Sequence, residues 1–300
     1  MITRRHLLAS AAASLAARPL WASNSLTLGN MQIDTLSDGH LMLPKSFAFA
    51  GDPPDGASDI LQRHGITGDH FQPPCNLTLV RDGTNTVLFD AGSGADFMAS
   101  AGKLPDALDA IGLAPEDITH VVLTHAHPDH IGGLLDDFDD PMFYEATHMI
   151  GKTEFDYWMD PATVDTINPS RTTFAVGAKR RLEAVEDSIL TFEDGEEILP
   201  GIAARATFGH TPGHMAFHLN QGSNNAMIIG DAIVNHHLAF ERPEWRAGSD
   251  QDPDQGAQTR LSLLDQLSAD QMTLIGFHLP GGGIGRAEKA AQGYQFTADL

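Results

Sequence analysis

Three histidines and one aspartate fall within six residues in the run His125-Ala126-His127-Pro128-Asp129-His130. Neutral imidazoles and carboxylates are donors for divalent metal ions, and an ion with one open position acidifies a bound water into a nucleophile. The run follows His120-Val121-Val122-Leu123, so a buried strand opens into a loop there. Such a loop can turn some of these side chains toward one ion and the rest toward a second. Four further places offer similar residues, each at the end of an apolar stretch. Asp90 follows Leu88-Phe89, and Gly209-His210-Thr211-Pro212-Gly213-His214 follows residues 204–207. Asp231 follows Met227-Ile228-Ile229-Gly230, and His278 follows Leu274-Ile275-Gly276-Phe277. Each alone has an ordinary explanation, a satisfied histidine or an Asp in a turn. Polar groups set repeatedly at strand ends are costly unless they converge on something, and all five together point to a metal centre.

The elements that must position these residues follow from the apolar pattern. Residues 26–36 read as paired strands, followed by a polar turn at Ser37-Asp38-Gly39. Residues 77–80 and 86–89 form a hairpin pattern around Asp82-Gly83, and 121–123, 189–192, 202–207, 216–219 and 227–229 read as strands. Residues 274–275 are expected to be the last core strand. Helices are expected over 104–113, 153–159, 171–184 and 253–267, the last with Leu261, Leu264 and Leu267 on one face. Residues 44–74 hold five prolines, several glycines and no period, which predicts a long loop covering something. Two groups of strands, each followed by helices and with no linker between them, predict two packed sheets with helices outside in one domain over 23–300. The halves show no repeat in sequence.

Of the 300 residues, 42% are apolar, enough for one large core. The balance of 18 basic and 40 acidic residues gives a net charge of −22, which repels nucleic acids and anionic membranes. Runs such as Asp136-Asp137-Phe138-Asp139-Asp140 read as solvated loops. Residues 1–22 read as an export signal: Arg4-Arg5, a short apolar segment over 7–17, and a small residue at Ala22. Thr3-Arg4-Arg5-His6-Leu7-Leu8 resembles a twin-arginine signal, which places the mature chain in the periplasm or outside the cell; the apolar run is too short to span a bilayer. Twin-arginine export carries folded proteins, which permits metal loading before export. Cys75 is the only cysteine, so no internal disulfide forms, and it reads as a buried small hydrophobe.

His125-x-His127-x-Asp129-His130, with Thr211-Pro212-Gly213-His214, Asp231 and His278 following in order, resembles the metallo-β-lactamase-fold superfamily over nearly the whole mature chain. The resemblance implies an α/β (αββα) sandwich of two mixed sheets flanked by helices, with two divalent ions in the cleft. It implies His125, His127 and His214 on the first ion, Asp129, His130 and His278 on the second, Asp231 bridging them, and Asp90 behind the ligands. Zinc is expected, with Mn, Fe or Co admitted at the mixed carboxylate–imidazole site. Segments 33–39, 283–286 and 293–296 resemble the methyl-parathion-hydrolase and quorum-quenching-lactonase branch, which implies a lactone or organophosphate ester as substrate. His210 is expected beside the ligands, and His236-His237 at the pocket or in a solvated turn.

The expected function is thus that of a dinuclear hydrolase, in which a hydroxide bridging the ions attacks a lactone or an organophosphate or aryl ester. Asp129 is expected to orient that nucleophile and move its proton. The pocket is expected from residues 44–74, 154–159 and 235–245, with Phe47, Phe49, Phe71, Phe155, Trp158, Phe240 and Trp245 as aromatic candidates, part of them core. They suit a small, apolar, neutral ester. The alternatives are a β-lactamase or thioesterase on the same ions, a one-iron sulfur oxygenase, and a periplasmic metal-binding accessory protein. A homodimer is left open.

Overall fold

The computed structural model describes residues 22–299; the segment expected to be an export signal lies outside them except for Ala22. The first sheet has seven strands in the order β1-β2-β5-β6-β7-β8-β9. These are β1 (Ala22–Leu28), β2 (Met31–His40), β5 (Pro74–Arg81), β6 (Thr86–Phe89), β7 (His120–Leu123), β8 (Thr147–Gly151) and β9 (Ile189–Phe192), with the short pair β3 (Leu43–Pro44) and β4 (His70–Phe71) set apart. The second sheet also has seven strands, in sequence order from β10 to β16. They are β10 (Glu197–Leu199), β11 (Ile202–Ala206), β12 (Met215–Gln221), β13 (Asn224–Gly230), β14 (Thr273–Gly276), β15 (Ile284–Lys289) and β16 (Tyr294–Ala298). The strands β6 to β9 run parallel, as do β13 and β14, and all other pairs in the two sheets are antiparallel.

Successive side chains on a strand point to opposite faces, and that alternation builds the layers. In β7, Val121 and Leu123 join one cluster and Val122 another. In β13, Ile228 faces the same cluster as Val122, while Met227 and Ile229 face away from it. The shared cluster is the space between the sheets, filled by Ile33, Phe89, Val122, Phe217 and Ile275 among others. The helices are α1 (Ala57–Arg63), α2 (Leu104–Ala110), α3 (Pro128–Ile131), α4 (Lys152–Met159), α5 (Thr163–Thr166), α6 (Thr172–Ala184), α7 (Leu238–Glu241) and α8 (Pro253–Ala269). Of these, α2, α4 and α6 pack outside the first sheet and α8 outside the second, while α1 packs in a separate small cluster with Phe49 and Leu238. Helix α8 shows how the sequence sets an element. Asp252 caps it by accepting from the Gln255 N–H, Pro253 sits where its missing N–H costs nothing, and Leu263, Leu264 and Leu267 are buried against the second sheet.

Three expectations need correction. Ser37-Asp38-Gly39 is not a turn but the end of β2, with a register break before His40. Asp38 is buried there and accepts from the backbone N–H groups of Ser93, Gly102 and Leu104 at 2.8, 3.1 and 2.8 Å. Residues 274–275 are not the last core strand, because β15 and β16 extend the sheet; the segments 283–286 and 293–296 lie on this hairpin. The long loop at 44–74 carries helix α1 and the β3–β4 pair, and does line a cavity. Among the described residues no helix is long and apolar enough to cross a membrane.

Candidate metal centre

Ligands of open α/β sheets bind beyond the carboxyl ends of parallel strands, and the polar residues singled out by spacing gather there. Asp90 follows β6, the His125–His130 run follows β7, Asp231 follows β13, and His278 lies just beyond β14. Asp90 holds φ +64°, a left-handed conformation that a non-glycine residue rarely adopts. The fold holds it there to aim a carboxylate. That carboxylate accepts from the Thr124 N–H at 2.8 Å and the Thr124 hydroxyl at 2.9 Å, and from His130 Nδ1 at 2.8 Å.

Two groups of donors result. In the first, His125 Nε2 lies 3.0 Å from His127 Nδ1, which lies 2.8 Å from His210 Nε2. Three imidazole nitrogens around a tetrahedral zinc would stand about 3.3 Å apart, so this triangle fits one ion. The other ring nitrogens fix the tautomers. His125 Nδ1 donates to the Thr124 hydroxyl, whose own proton goes to Asp90, and His210 Nδ1 donates to Asp250 at 3.2 Å. Lone pairs on both Nε2 atoms therefore face inward. In the second group, Asp129 Oδ2 lies 3.1 Å from His278 Nε2 and 3.5 Å from His130 Nε2. His278 Nδ1 donates to the Pro74 carbonyl at 2.7 Å, which again leaves Nε2 free. His130 Nε2 and Asp231 Oδ1 are buried 3.3 Å apart without a well-formed hydrogen bond, an arrangement that a metal ion would satisfy.

Asp231 joins the groups. Its Oδ2 is 3.3 Å from His210 Nε2 and 3.4 Å from His278 Nε2, while Oδ1 is 3.3 Å from His130 Nε2. The structure thus brings together His125, His127, Asp129, His130, Asp231 and His278, six of the residues singled out in the sequence. It does not place His214 among them. Both His214 ring nitrogens are engaged within the protein, Nδ1 with the Thr207 hydroxyl at 2.7 Å and Nε2 as acceptor of the Asp231 N–H at 2.9 Å. The inward position expected for His214 belongs to His210, and His214 instead holds the backbone of Asp231.

Electrostatics separate the two groups. Burial, reinforced by neighbouring imidazoles, drives His125 and His127 well below the usual histidine range, so they stay neutral and available as ligands. Burial likewise pushes His214 down to about 3. Burial also opposes charge on His130, but the carboxylates of Asp231, Asp90 and Asp129 outweigh it and raise the ring to about 10. His278 is raised in the same way, chiefly by Asp231 against burial. The second group therefore demands positive charge, and the first does not. Burial lifts the Cys75 thiol to about 12, consistent with an inert buried side chain packed beside His278.

Supporting residues were invisible in the spacing. Glu154, fully buried on α4, accepts from the Ala126 N–H at 3.0 Å, the Gly213 N–H at 2.9 Å, the Thr211 hydroxyl at 2.7 Å and the Trp158 indole at 2.6 Å. One carboxylate thereby ties together the two loops that carry the first group. The approach is tight: a Cβ on Gly213 would meet the Glu154 nitrogen at 2.1 Å. Behind His210, Asp250 is also engaged by the buried Arg260, at 3.3 Å. Of the expected pocket walls, Phe47 and Phe71 line the cavity over the site, about 500 Å³, together with His236 and His237. Trp158 and Phe240 are core residues, Phe155 packs on the core, and Phe49 and Trp245 belong to a small cluster around Leu238. Phe97 and Phe174 supply walls that spacing did not single out.

Comparison with known proteins identifies the relatives of this fold. The family model described as "Metallo-beta-lactamase superfamily" matches residues 71–278. The uncharacterized protein YobT of Bacillus subtilis (strain 168) is 29% identical over 160 residues, covering 53% of this chain and 62% of that protein. The chain spans less than two thirds of the length of the first curated relatives it matches. Among solved structures, hydrolase AbOPH of the beta lactamase superfamily superposes with a TM-score of 0.86 at 27% identity, over 94% of this chain and 98% of that one. AidC, a dizinc quorum-quenching lactonase in complex with the product N-hexanoyl-L-homoserine, gives a TM-score of 0.87 at 25% identity over the same shares.

Proposed function

The chain belongs to the metallo-beta-lactamase superfamily, and from that premise we propose that it is a dinuclear metal-dependent hydrolase acting on a lactone or carboxylic ester. The observation that carries this reading is Asp231, one buried carboxylate within 3.4 Å of ring nitrogens from both donor groups. His125, His127 and His210 would hold one ion, Asp129, His130 and His278 the other, and Asp231 both. Zinc suits the nitrogen triangle, and the carboxylate-bearing group also suits Mn, Fe or Co. Two such ions supply Lewis acidity and a water acidified toward neutrality.

The chain's own residues would do the rest. Asp129 borders the cavity with its Oδ2 3.1 Å from His278 Nε2. There it can take the proton of the attacking water and return it to the leaving alkoxide. Asp90, Asp250 and Glu154 hold the ligand rings and loops still, so little reorganisation is needed when charge develops. Leu41, Leu43, Phe47 and Phe71 offer apolar walls for an alkyl or acyl group. The likeness to a lactonase with an acyl-homoserine product in its site favours a lactone. Residues 1–22 are proposed to direct export, with the enzyme acting in the periplasm or outside the cell.

Metal analysis followed by kcat/KM on an acyl-homoserine lactone, an aryl phosphotriester and nitrocefin, all with matched zinc, tests the reading. Two equivalents of metal and fastest turnover of the lactone are expected. A tenfold advantage for nitrocefin, about 1.4 kcal/mol of transition-state preference, overturns the substrate assignment. One equivalent or less after saturation overturns the dinuclear centre.

A further inference from the structure

The cavity over the metal centre is apolar along most of its wall, but one edge is built differently. Arg171 closes the turn Pro169–Arg171 ahead of α6, borders the cavity, and is only 7% exposed. Its Nη2 donates to the carbonyls of Gly248 and Ser249 at 2.8 and 2.9 Å, whereas its Nη1 is buried without any partner. Among the described residues no carboxylate stands within ion-pairing distance of it. Asp250 is already engaged by His210 and Arg260. Ser249 borders the same cavity with its hydroxyl buried and unpartnered. His127 Nε2, which bears the proton when Nδ1 faces the ligand triangle, is buried without an acceptor as well. All three groups can donate, and one is a permanent cation. Asp250 acts on it through space only, and a buried cation without a hydrogen-bonded counter-ion is costly. What this edge lacks is an anionic oxygen.

We propose that Arg171, with Ser249, forms a carboxylate-binding subsite at the edge of the metal cavity, so that the preferred substrate is an ester or lactone with an apolar body and a carboxylate remote from the scissile carbonyl. The inference rests on the hydrolase reading above and names its substrate class. A guanidinium with a free N–H donates to a carboxylate oxygen in a charge-assisted bond, and the neighbouring hydroxyl donates a second. The subsite would select the substrate and fix which end enters first.

The test uses zinc-loaded protein and two aryl esters of one acid, aryl hydrogen glutarate and its methyl-capped neutral counterpart. The wild type is expected to prefer the carboxylate-bearing ester at least tenfold in kcat/KM, mainly through KM, with the preference shrinking as salt rises. Arg171→Gln should reduce that ratio about tenfold, and Arg171→Lys should restore part of it. Equal or better turnover of the neutral ester by the wild type overturns the proposal, whatever the variants do. If neither ester is cleaved, calorimetric titration with monomethyl glutarate tests the subsite alone. Tighter binding to the wild type than to Arg171→Gln supports it, and equal binding overturns it.

Discussion

The two halves of the centre are built from the same residue types to opposite electrostatic ends. The triangle of His125, His127 and His210 is all nitrogen, and burial keeps His125 and His127 neutral. The group of Asp129, His130, Asp231 and His278 has two carboxylates, backed by Asp90 against His130, and its histidines are driven toward the charged form. The supports differ in kind as well. Glu154 joins the two loops of the triangle by hydrogen bonds, whereas Asp90, at a strained backbone position, bonds His130 directly and reaches His125 only through the Thr124 hydroxyl. A site with one neutral and one anionic half distributes cation affinity unequally, and Asp129, the carboxylate proposed to accept the proton, lies in the half richer in negative charge.

The sharpest way to break this comparison is at the shared residue. Asp231→Asn keeps the shape but weakens the bridge, and should cost activity about a thousandfold or more while lowering bound metal. Elemental analysis beside kcat/KM checks it; wild-type stoichiometry with full activity would mean that Asp231 is not shared. The next largest effect should separate His210 from His214. His210→Ala should remove about one equivalent of metal and reduce activity at least about a hundredfold. His214→Ala loses an acceptor for the Asp231 N–H, and should retain more metal and more activity than His210→Ala. The reverse order would restore the assignment that the family resemblance implies.

That pair shows where sequence reading stops. The strand-end residues were legible because apolar runs ending in His or Asp are rare without a reason, and six of the seven expected ligands meet in the donor groups. His210 and His214 both follow β11 in a Gly-His-Thr-Pro-Gly-His loop, and only the path of that loop decides which ring faces inward. Glu154 lies in an aromatic-rich segment, a pattern that points to a pocket wall rather than to a buried support. Its four donors come from residues 28 or more positions away in three of the four cases, beyond any local pattern. Asp38, Asp250 and Arg171 are single polar residues in loops or at a strand end, where burial is a tertiary property. The β15–β16 hairpin carries no clear apolar alternation in its sequence, because Gly285, Arg286 and Glu288 break up the apolar residues of β15.

The supports offer a matched test of the same contrast. Asp250→Asn weakens the hold on His210, and Asp90→Asn weakens the hold on His130. Each change should lower metal affinity about 10- to 100-fold, the first at the nitrogen triangle and the second at the carboxylate-bearing group. Glu154→Gln should resemble Asp250→Asn, since its contacts reach only the loops of the triangle. Competition with a chromophoric chelator resolves the two binding steps. The same step moving in all three variants would show that the halves are one cooperative unit.

The smallest effect is on the pH dependence of the chelated protein, where the halves should fail at opposite ends. His130 is raised to about 10 when folded, against about 6.5 unfolded. Its stabilising contribution is therefore complete below pH ~6.5 and is lost as pH rises toward 10. His214 is depressed to about 3, so below pH ~6.5 the unfolded chain takes up a proton that the folded one refuses, and stability falls as pH drops. Asp231, held well below the usual carboxylate range by His278 and His130 against the effect of burial, loses its contribution on the acid side too, below about pH 4. Thermal unfolding in excess chelator should accordingly show a maximum near neutrality, with losses on the order of 1–2 kcal/mol on each side, or roughly 3–8 °C. Zinc should flatten the alkaline limb, because a cation that satisfies Asp231, Asp129 and neutral His130 removes the need for the proton. An alkaline limb unchanged by zinc would mean that the charge demanded by the second group is not met by a metal.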